Sequence, residues 1–338
     1  MTYPFLAIIA MVLLDPDTYI YIGYGILTCL SLVGLLVAWR VKRRWLRWTI
    51  GGVLALLWLA QLYGAHVGPC QLTVRHVELA FDDLPPAFDG YRIVQFSDVH
   101  AGSLTGSRRQ LLERAVDSIN AQQADLVVFT GDLQNAVPNE IAPFREILSG
   151  IQAADGIYSV LGNHDYPIYV KAPYEIKEEY LHLRKKEDRD MGWNLLVNTR
   201  RYIHRGGDSI VIAGMDNDGD GKRFPQMGNV PLTLYMVSRD EFVVMLEHDP
   251  TAWRRKILPQ CHAQLTLSGH THGGQAALFG WSAADIAYTE SYGLYAINNR
   301  YIYVSGGLGG VVPFRLGVTP EITVITLKSN RKKESDTL

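Results

Sequence analysis

The chain is poor in cysteine, nearly neutral overall, and has no basic residue in its first 39 positions. Its three cysteines, Cys29, Cys70 and Cys261, are far apart and odd in number, which excludes a disulfide framework and a cysteine-based zinc site. A formal net charge of −2 gives no global basic field, so nucleic acid is not expected as a specific partner. No feature indicates an obligate protein partner, and internal repeats and low-complexity tracts are lacking. At 338 residues there is room for one large globular domain and an accessory segment.

Charge is unevenly placed. Asp15 and Asp17 are the only charged side chains before Arg40, and residues 18–39 are apolar for long enough to cross a bilayer. Five cations follow closely: Arg40, Lys42, Arg43, Arg44 and Arg47. A second apolar stretch covers 49–67, with Trp39, Trp45, Trp48 and Trp58 near the ends. Buried core helices would give similar runs, but the tryptophans and the basic loop 40–48 favour membrane spans. The cations come after the first apolar run, so a cleavable signal peptide fits poorly. Residues 5–14 are too short to span alone and read as a lead-in broken by Asp15-Pro16-Asp17. The positive-inside rule places the basic loop in the cytoplasm and everything beyond residue 67 on the extracytoplasmic side of the cytoplasmic membrane. The expected layout is a membrane segment (1–68), a connector (69–90), a catalytic domain (91–328) and a polar tail (329–338).

Five clusters carry the chemistry: Asp98-Val99-His100, Gly131-Asp132, Gly162-Asn163-His164-Asp165, Glu247-His248-Asp249 and Gly269-His270-Thr271-His272. Each follows an apolar run that reads as a buried strand (93–96, 126–129, 157–161, 242–246, 265–267). Ligands collect beyond the carboxyl ends of strands in open α/β sheets, so the five clusters are expected along one edge of one sheet. Between them, 107–122 and 138–153 carry helical apolar faces, with Ser107 as N-cap of the first. Residues 174–189 read as a charged, solvated helix or cap. Further strands are expected at 210–213, 301–305 and 321–327, and a loop at 225–231.

Hydrolysis of a phosphate ester brings two anions together and expels an alkoxide. Two divalent ions overcome both obstacles by clamping the phosphoryl oxygens and acidifying a water, which then attacks phosphorus as hydroxide. Two carboxylates (Asp98, Asp132), four imidazoles (His100, His248, His270, His272) and one amide (Asn163) suit that task. Mixed nitrogen and oxygen donors favour Mn, Fe or Zn. His66, His76, His182, His204 and His262 lie outside the clusters and read as ordinary core or surface histidines. The segment Asp216-Asn217-Asp218-Gly219-Asp220-Gly221 mimics the start of a calcium loop, but its twelfth position is Met227. It reads instead as a surface loop near the substrate mouth. Gly306, Gly307, Gly309 and Gly310 lack a following P-loop lysine and read as tight turning near the site.

Taken in order, D-x-H, G-D, G-N-H-D, a lone histidine and G-H-x-H resemble the calcineurin-like metallophosphoesterase superfamily over residues 91–327. The resemblance implies an α/β fold, a four-layer α/β/β/α sandwich, here preceded by an N-terminal transmembrane helical segment. It implies that Asp98, His100 and His272 hold one metal, that Asn163, His248 and His270 hold the other, and that Asp132 bridges them. His164 resembles the acid facing the leaving group, with Asp165 orienting its ring. The Gly-His-Thr-His-Gly-Gly-Gln run and the late Gly-Leu-Gly…Pro-x-Arg segment resemble a membrane-anchored branch. Some of its members act on model phosphodiesters or on the pyrophosphate of UDP-diacylglucosamine. That branch has an acidic residue where this chain has Asn135. Arg315 is a candidate for gripping a substrate phosphate, and equally for packing. The expected function is a membrane-anchored binuclear phosphohydrolase cleaving a phosphodiester or pyrophosphate, with a lipid-linked or envelope substrate in view. A phosphomonoesterase on a soluble substrate, and a non-catalytic membrane-tethered binding protein on the same fold, are the alternatives.

Overall fold

The computed structural model describes residues 15–330. The lead-in at 5–14 and the tail beyond 330 lie outside the described residues. Two helices long and apolar enough to cross a membrane come first, Pro16–Arg40 and Arg44–Leu62. They form a hairpin: Trp58 donates to Ser31 Oγ at 3.0 Å, and Gly34 lets Leu54 approach closely. Only Ile20 and Leu27 of the first helix are buried, and no residue of the second. Helices apolar on their open faces call for an apolar surrounding. The turn between them is three residues, 41–43, shorter than the expected basic loop. Arg44, Trp45 and Arg47 form helix readily and start the second helix five residues before 49.

The rest is two six-stranded sheets face to face. One runs in the order Thr73–Phe81, Glu321–Ser329, Arg92–Phe96, Leu126–Phe129, Ile157–Ser159 and Asn194–Leu195. The other runs Gly293–Ile297, Arg300–Val304, Leu265–Ser268, Phe242–Leu246, Asp208–Gly214 and Thr199–Arg205. Strands alternate their side chains between faces, and the buried residues sort accordingly. Ile93, Leu126 and Val128 of the first sheet meet Ile212, Val244 and Leu265 of the second in an inner layer. The opposite faces carry Val94, Val127 and Phe129 under helix Arg109–Ala121, and Val211, Val243 and Met245 under Trp253 and Ile257. Three apolar layers between four structural layers make the expected α/β/β/α sandwich.

Four local expectations are corrected. Residues 69–90 are not merely a connector: Thr73–Phe81 is a nine-residue strand parallel to Glu321–Ser329, with Leu79 and Phe81 turned inward. The expected helix at 138–153 is broken into two 3₁₀ turns and the short helix Arg145–Ser149. Pro143 has no amide hydrogen to donate and disfavours helical backbone at Ala142. Ser107 lies inside a 3₁₀ turn and does not cap the following helix, which begins at Arg109. The charged helix Tyr174–Asp190 is not wholly solvated, because it buries Arg184, Glu187 and Asp188.

Candidate metal centre

Parallel strands bring the clusters together. Asp98 and His100 follow Arg92–Phe96, Asp132 follows Leu126–Phe129, and Asn163 to Asp165 follow Ile157–Ser159. The other sheet delivers His248 after Phe242–Leu246, and His270 and His272 after Leu265–Ser268. The site therefore straddles the ends of two sheets and not the edge of one, as a sandwich requires when strands of both layers end at the same rim.

Backbone hydrogen bonds stitch the loops to each other. Asp98 N donates to Gly131 O (2.9 Å), Gly269 N to His248 O (3.0 Å) and Gly309 N to Asp98 O (2.7 Å). Glycine is needed where loops touch: a Cβ on Gly162 would lie 2.2 Å from Asp132 Oδ1, and one on Gly269 2.0 Å from Ser97 Oγ. Asp98, His100, Asp132, His270 and His272 all have positive φ, between 46° and 74°, a region costly for residues other than glycine. Such strain persists where surrounding structure over-determines it, and here it falls on five of the seven expected ligands.

Atoms that could ligate a metal gather in overlapping groups. Asp98, His100 and His272 form one, with all three atoms within 4.8 Å of one another. Asp132, His248 and His270 form another to the same limit, as do His100, Asp132 and His164. Asp132 Oδ2 stands 3.6 Å from His100 Nε2 and 3.1 Å from His248 Nε2, between the first two groups. His272 Nε2 is 3.5 Å from Asp98 Oδ1. Asn163 gives its amide hydrogens to Tyr169 Oη (2.7 Å), which leaves its oxygen 2.8 Å from His270 Nδ1.

Outer contacts set the rings. Thr130 O accepts from His248 Nδ1 at 2.7 Å, aiming Nε2 at Asp132. His270 Nε2 meets Tyr288 Oη at 2.9 Å, with Asp249 Oδ2 at 3.5 Å. Burial pushes the Asp98 carboxyl up to about 7, and it pushes His100 down to about 3, helped by the neighbouring His164. Burial, His100 and Arg315 hold His272 well below the usual imidazole range, and burial lowers His270. Asp132 goes the other way. Burial opposes its charge, but His248 and His164 prevail and keep the carboxyl well below its ordinary value. Burial likewise opposes charge on His248, but Asp132 prevails and holds it well above the usual imidazole range, so His100, His270 and His272 are the imidazoles already in the neutral donor state a divalent ion takes. His100 is fully buried, yet neither ring nitrogen has a hydrogen-bond partner among the described residues. Buried polar atoms without partners are rare, so the residues present fit a divalent-metal centre.

Three expectations are revised. Asp165 does not orient His164; its carboxylate accepts from Asp132 N (2.9 Å), Leu133 N (3.0 Å), Gly162 N (2.9 Å) and Arg184 Nε (2.6 Å). The Asn135 carbonyl holds the His164 ring instead, at 2.6 Å from Nδ1, which leaves Nε2 free. Arg315 does not reach for substrate. It is 2% exposed, and its guanidinium donates to the carbonyls of Gly306 (2.7 Å), His272 (3.3 Å), Gly307 (3.4 Å) and Gly309. It braces the glycine-rich turn beside Asp98, and it was legible from sequence only as a packing alternative. The 216–221 segment is not a surface loop throughout. Asp216, Asn217 and Asp218 are buried, and Asp218 pairs with Arg255 (3.0 Å) and Lys256 (2.5 Å). The loop's continuation brings Phe224 edge-on to His270, 5.3 Å between ring centres, at the mouth of the site. Tyr169, Tyr288 and Arg184 carry no sequence signal, because isolated residues acquire these roles only through the fold.

Residues 91–274 match the family model described as "Calcineurin-like phosphoesterase". A Danio rerio protein named "Transmembrane protein with metallophosphoesterase domain" is 32% identical over 286 residues. That alignment covers 82% of this chain and 62% of the fish protein, so this chain spans less than two thirds of that relative's length. "Uncharacterized metallophosphoesterase YkuE" of Bacillus subtilis is 31% identical over 277 residues, 79% of this chain and 89% of its own. An "Uncharacterized metallophosphoesterase" of Aquifex aeolicus is 28% identical over 280 residues, 80% and 98% of the respective chains.

Proposed function

Given that this chain belongs to the calcineurin-like phosphoesterase family, we propose that it is a binuclear, metal-dependent phosphodiesterase or pyrophosphatase anchored in the cytoplasmic membrane. The observation that carries the reading is the pair of ligand groups flanking Asp132 Oδ2. Asp98, His100 and His272 would hold one cation, Asn163, His248 and His270 the other, and Asp132 would serve both. Two such ions, as Mn, Fe or Zn, supply charge for the phosphoryl oxygens and acidify a water.

The protein's own groups do the rest. The Asn135 carbonyl accepts a hydrogen bond from His164 Nδ1–H, so Nε2 faces the centre, where the imidazolium form would hand its Nε2 proton to the departing oxygen and return to the neutral Nδ1–H tautomer. The His164 ring stacks on Tyr169 with 4.4 Å between centres, which fixes its plane. Tyr169 packs against Asn163, and Tyr288 and Phe224 against His270, so an amphiphilic substrate reaching the centre would find aromatic contact there. The two exposed apolar helices support membrane anchoring, and the cations at their turn support an extracytoplasmic catalytic domain.

Elemental analysis of purified protein, together with hydrolysis of a chromogenic phosphodiester, a lipid-linked pyrophosphate and a monoester, tests the reading. Two metal ions per chain are expected, with diester or pyrophosphate cleavage exceeding monoester cleavage. Asp132→Asn should lower both metal contents, and loss of one ion alone would overturn the bridging role.

A further inference from the structure

Seven residues beyond His272 the chain exposes a compact apolar feature outside the metal centre. The strands Ala277–Leu278 and Trp281–Ser282 pair antiparallel around a two-residue turn, Phe279 and Gly280. Both turn residues have positive φ, 54° and 81°. A two-residue hairpin turn wants that backbone, and asparagine or glycine usually supplies it. Phenylalanine does so at a conformational cost, and here the result is a ring 99% exposed. Leu278 is 66% exposed, Trp281 57% and, one short helix on, Ile286 77%. No charged side chain lies between His272 and Asp285; Asp285 itself, beside Ile286, is exposed and engaged by Ser282 N and Ser291 Oγ. Such a cluster on a folded protein marks a contact surface, and transfer of the 278–281 tip out of water would strip no ion.

Its location says what it meets. Ala277 N donates to Leu316 O (2.7 Å), and Leu316 N to Gln275 O (2.9 Å). The neighbouring Arg315 N donates to Gly64 O (2.8 Å), one residue past Tyr63, where the second apolar helix ends its regular course. Gly64 is packed so tightly on Phe314 that a Cβ would lie 2.3 Å from the ring. A segment of three residues, 315–317, thus ties the hairpin to the point where exposed Leu62 and Tyr63 finish the apolar helix surface. The apolar tip and the apolar helices adjoin across that segment, and tryptophan and phenylalanine suit the boundary between headgroups and chains.

We propose that the hairpin tip at 278–281, with Ile286, dips into the leaflet beside the second helix and holds the catalytic rim at headgroup level, facing a phosphoester carried on a lipid. The substrate part of this statement rests on the function proposed above; the insertion does not. The catalytic histidines would then be placed by two supports, the helical hairpin and the inserted tip.

The test uses the full-length chain with Cys29, Cys70 and Cys261 replaced by serine, in nanodiscs of equimolar phosphatidylcholine and phosphatidylglycerol. A polarity-sensitive fluorophore is attached at Phe279→Cys or, as control, at Asp240→Cys, which is exposed before the opposite end of strand Phe242–Leu246. The probe at 279 should be quenched by lipids bearing a nitroxide near the carbonyl and shielded from aqueous iodide, while the control shows the reverse. Iodide quenching at 279 equal to that at 240 would overturn insertion, and so would shielding from both quenchers, which means a protein cover or a second copy. The double variant Phe279→Ser, Trp281→Ser should lose about tenfold in rate on a phosphodiester lipid embedded in vesicles and keep its rate on a soluble chromogenic diester. Equal rates on the embedded lipid would overturn the substrate presentation. If the unmodified protein cleaves no phosphoester, the functional reading fails while the quenching result still decides insertion.

Discussion

At Gly162 one methyl group separates a working loop from a broken one. Its Cα hydrogens face Asp132, and a Cβ would meet Asp132 Oδ1 at 2.2 Å and Asp132 N at 2.6 Å. Neither contact can yield without moving the carboxylate that stands between the two ligand groups. Gly162→Ala is expected to lose metal and activity together, read by elemental analysis and diester hydrolysis; full metal content would show that the loop has slack. His164 makes a different kind of contribution. Its ring is held by the Asn135 carbonyl and the Tyr169 stack, neither of which needs a cation. His164→Ala should therefore slow turnover by about a hundredfold or more while both metal ions are retained. A drop in metal content that tracks activity would instead make it a ligand, as its proximity to His100 and Asp132 allows.

At the scale of elements, the helix Tyr174–Asp190 matters most for what its charge pattern conceals. Arg184 is fully buried and grips Asp165 (2.6 Å) and Asp188. Asp165 in turn receives the amides of Asp132, Leu133 and Gly162. One arginine on an outer helix thereby fixes the two loops that carry Asp132 and Asn163. Removing one partner of a buried charge cluster leaves the others uncompensated, a loss of about 3–5 kcal/mol. Arg184→Leu should lower the denaturation midpoint accordingly, and a change under about 1 kcal/mol would mean that water reaches the cluster. The glycine-rich turn after Arg300–Val304 is braced in the same way from its other side, by Arg315 donating to four carbonyls.

For the whole molecule the question is how the sandwich sits on the two apolar helices. The metal-site rim, the 312–317 segment and the lower end of the helical hairpin adjoin, because Arg108 reaches Asp17 (2.8 Å) and Arg315 N reaches Gly64 O. The basic turn lies at the other end of the first helix, which is 25 residues long, about 37 Å away. With that turn in the cytoplasm, an impermeant thiol reagent applied to intact cells should label Asp240→Cys and leave Lys42→Cys unlabelled. The opposite pattern would invert the orientation without touching the chemistry.

How much of this could be read from residues alone follows from the range of each force. The five clusters, the strands preceding them and the two long apolar helices were legible because local patterning produces them: apolar runs ended by glycine and aspartate, and charge confined to one turn. The strand Thr73–Phe81 was hidden because charge falls on both of its faces, Arg75 in line with Leu79 and Phe81 and Glu78 on the other, and its partner lies some 250 residues away. The fragmenting of 138–153 has a local cause, Pro143, which the helical apolar spacing around it masks. The left-handed backbone at five candidate ligand positions, the carbonyl that orients His164, the burial of Arg184 and the bracing role of Arg315 were decided by tertiary structure alone. Each depends on which loops meet once two sheets stack, and hydrogen bonds and ion pairs act over a few ångströms that sequence distance does not encode. Sequence determined which side chains could hold a metal, and packing decided where each one points.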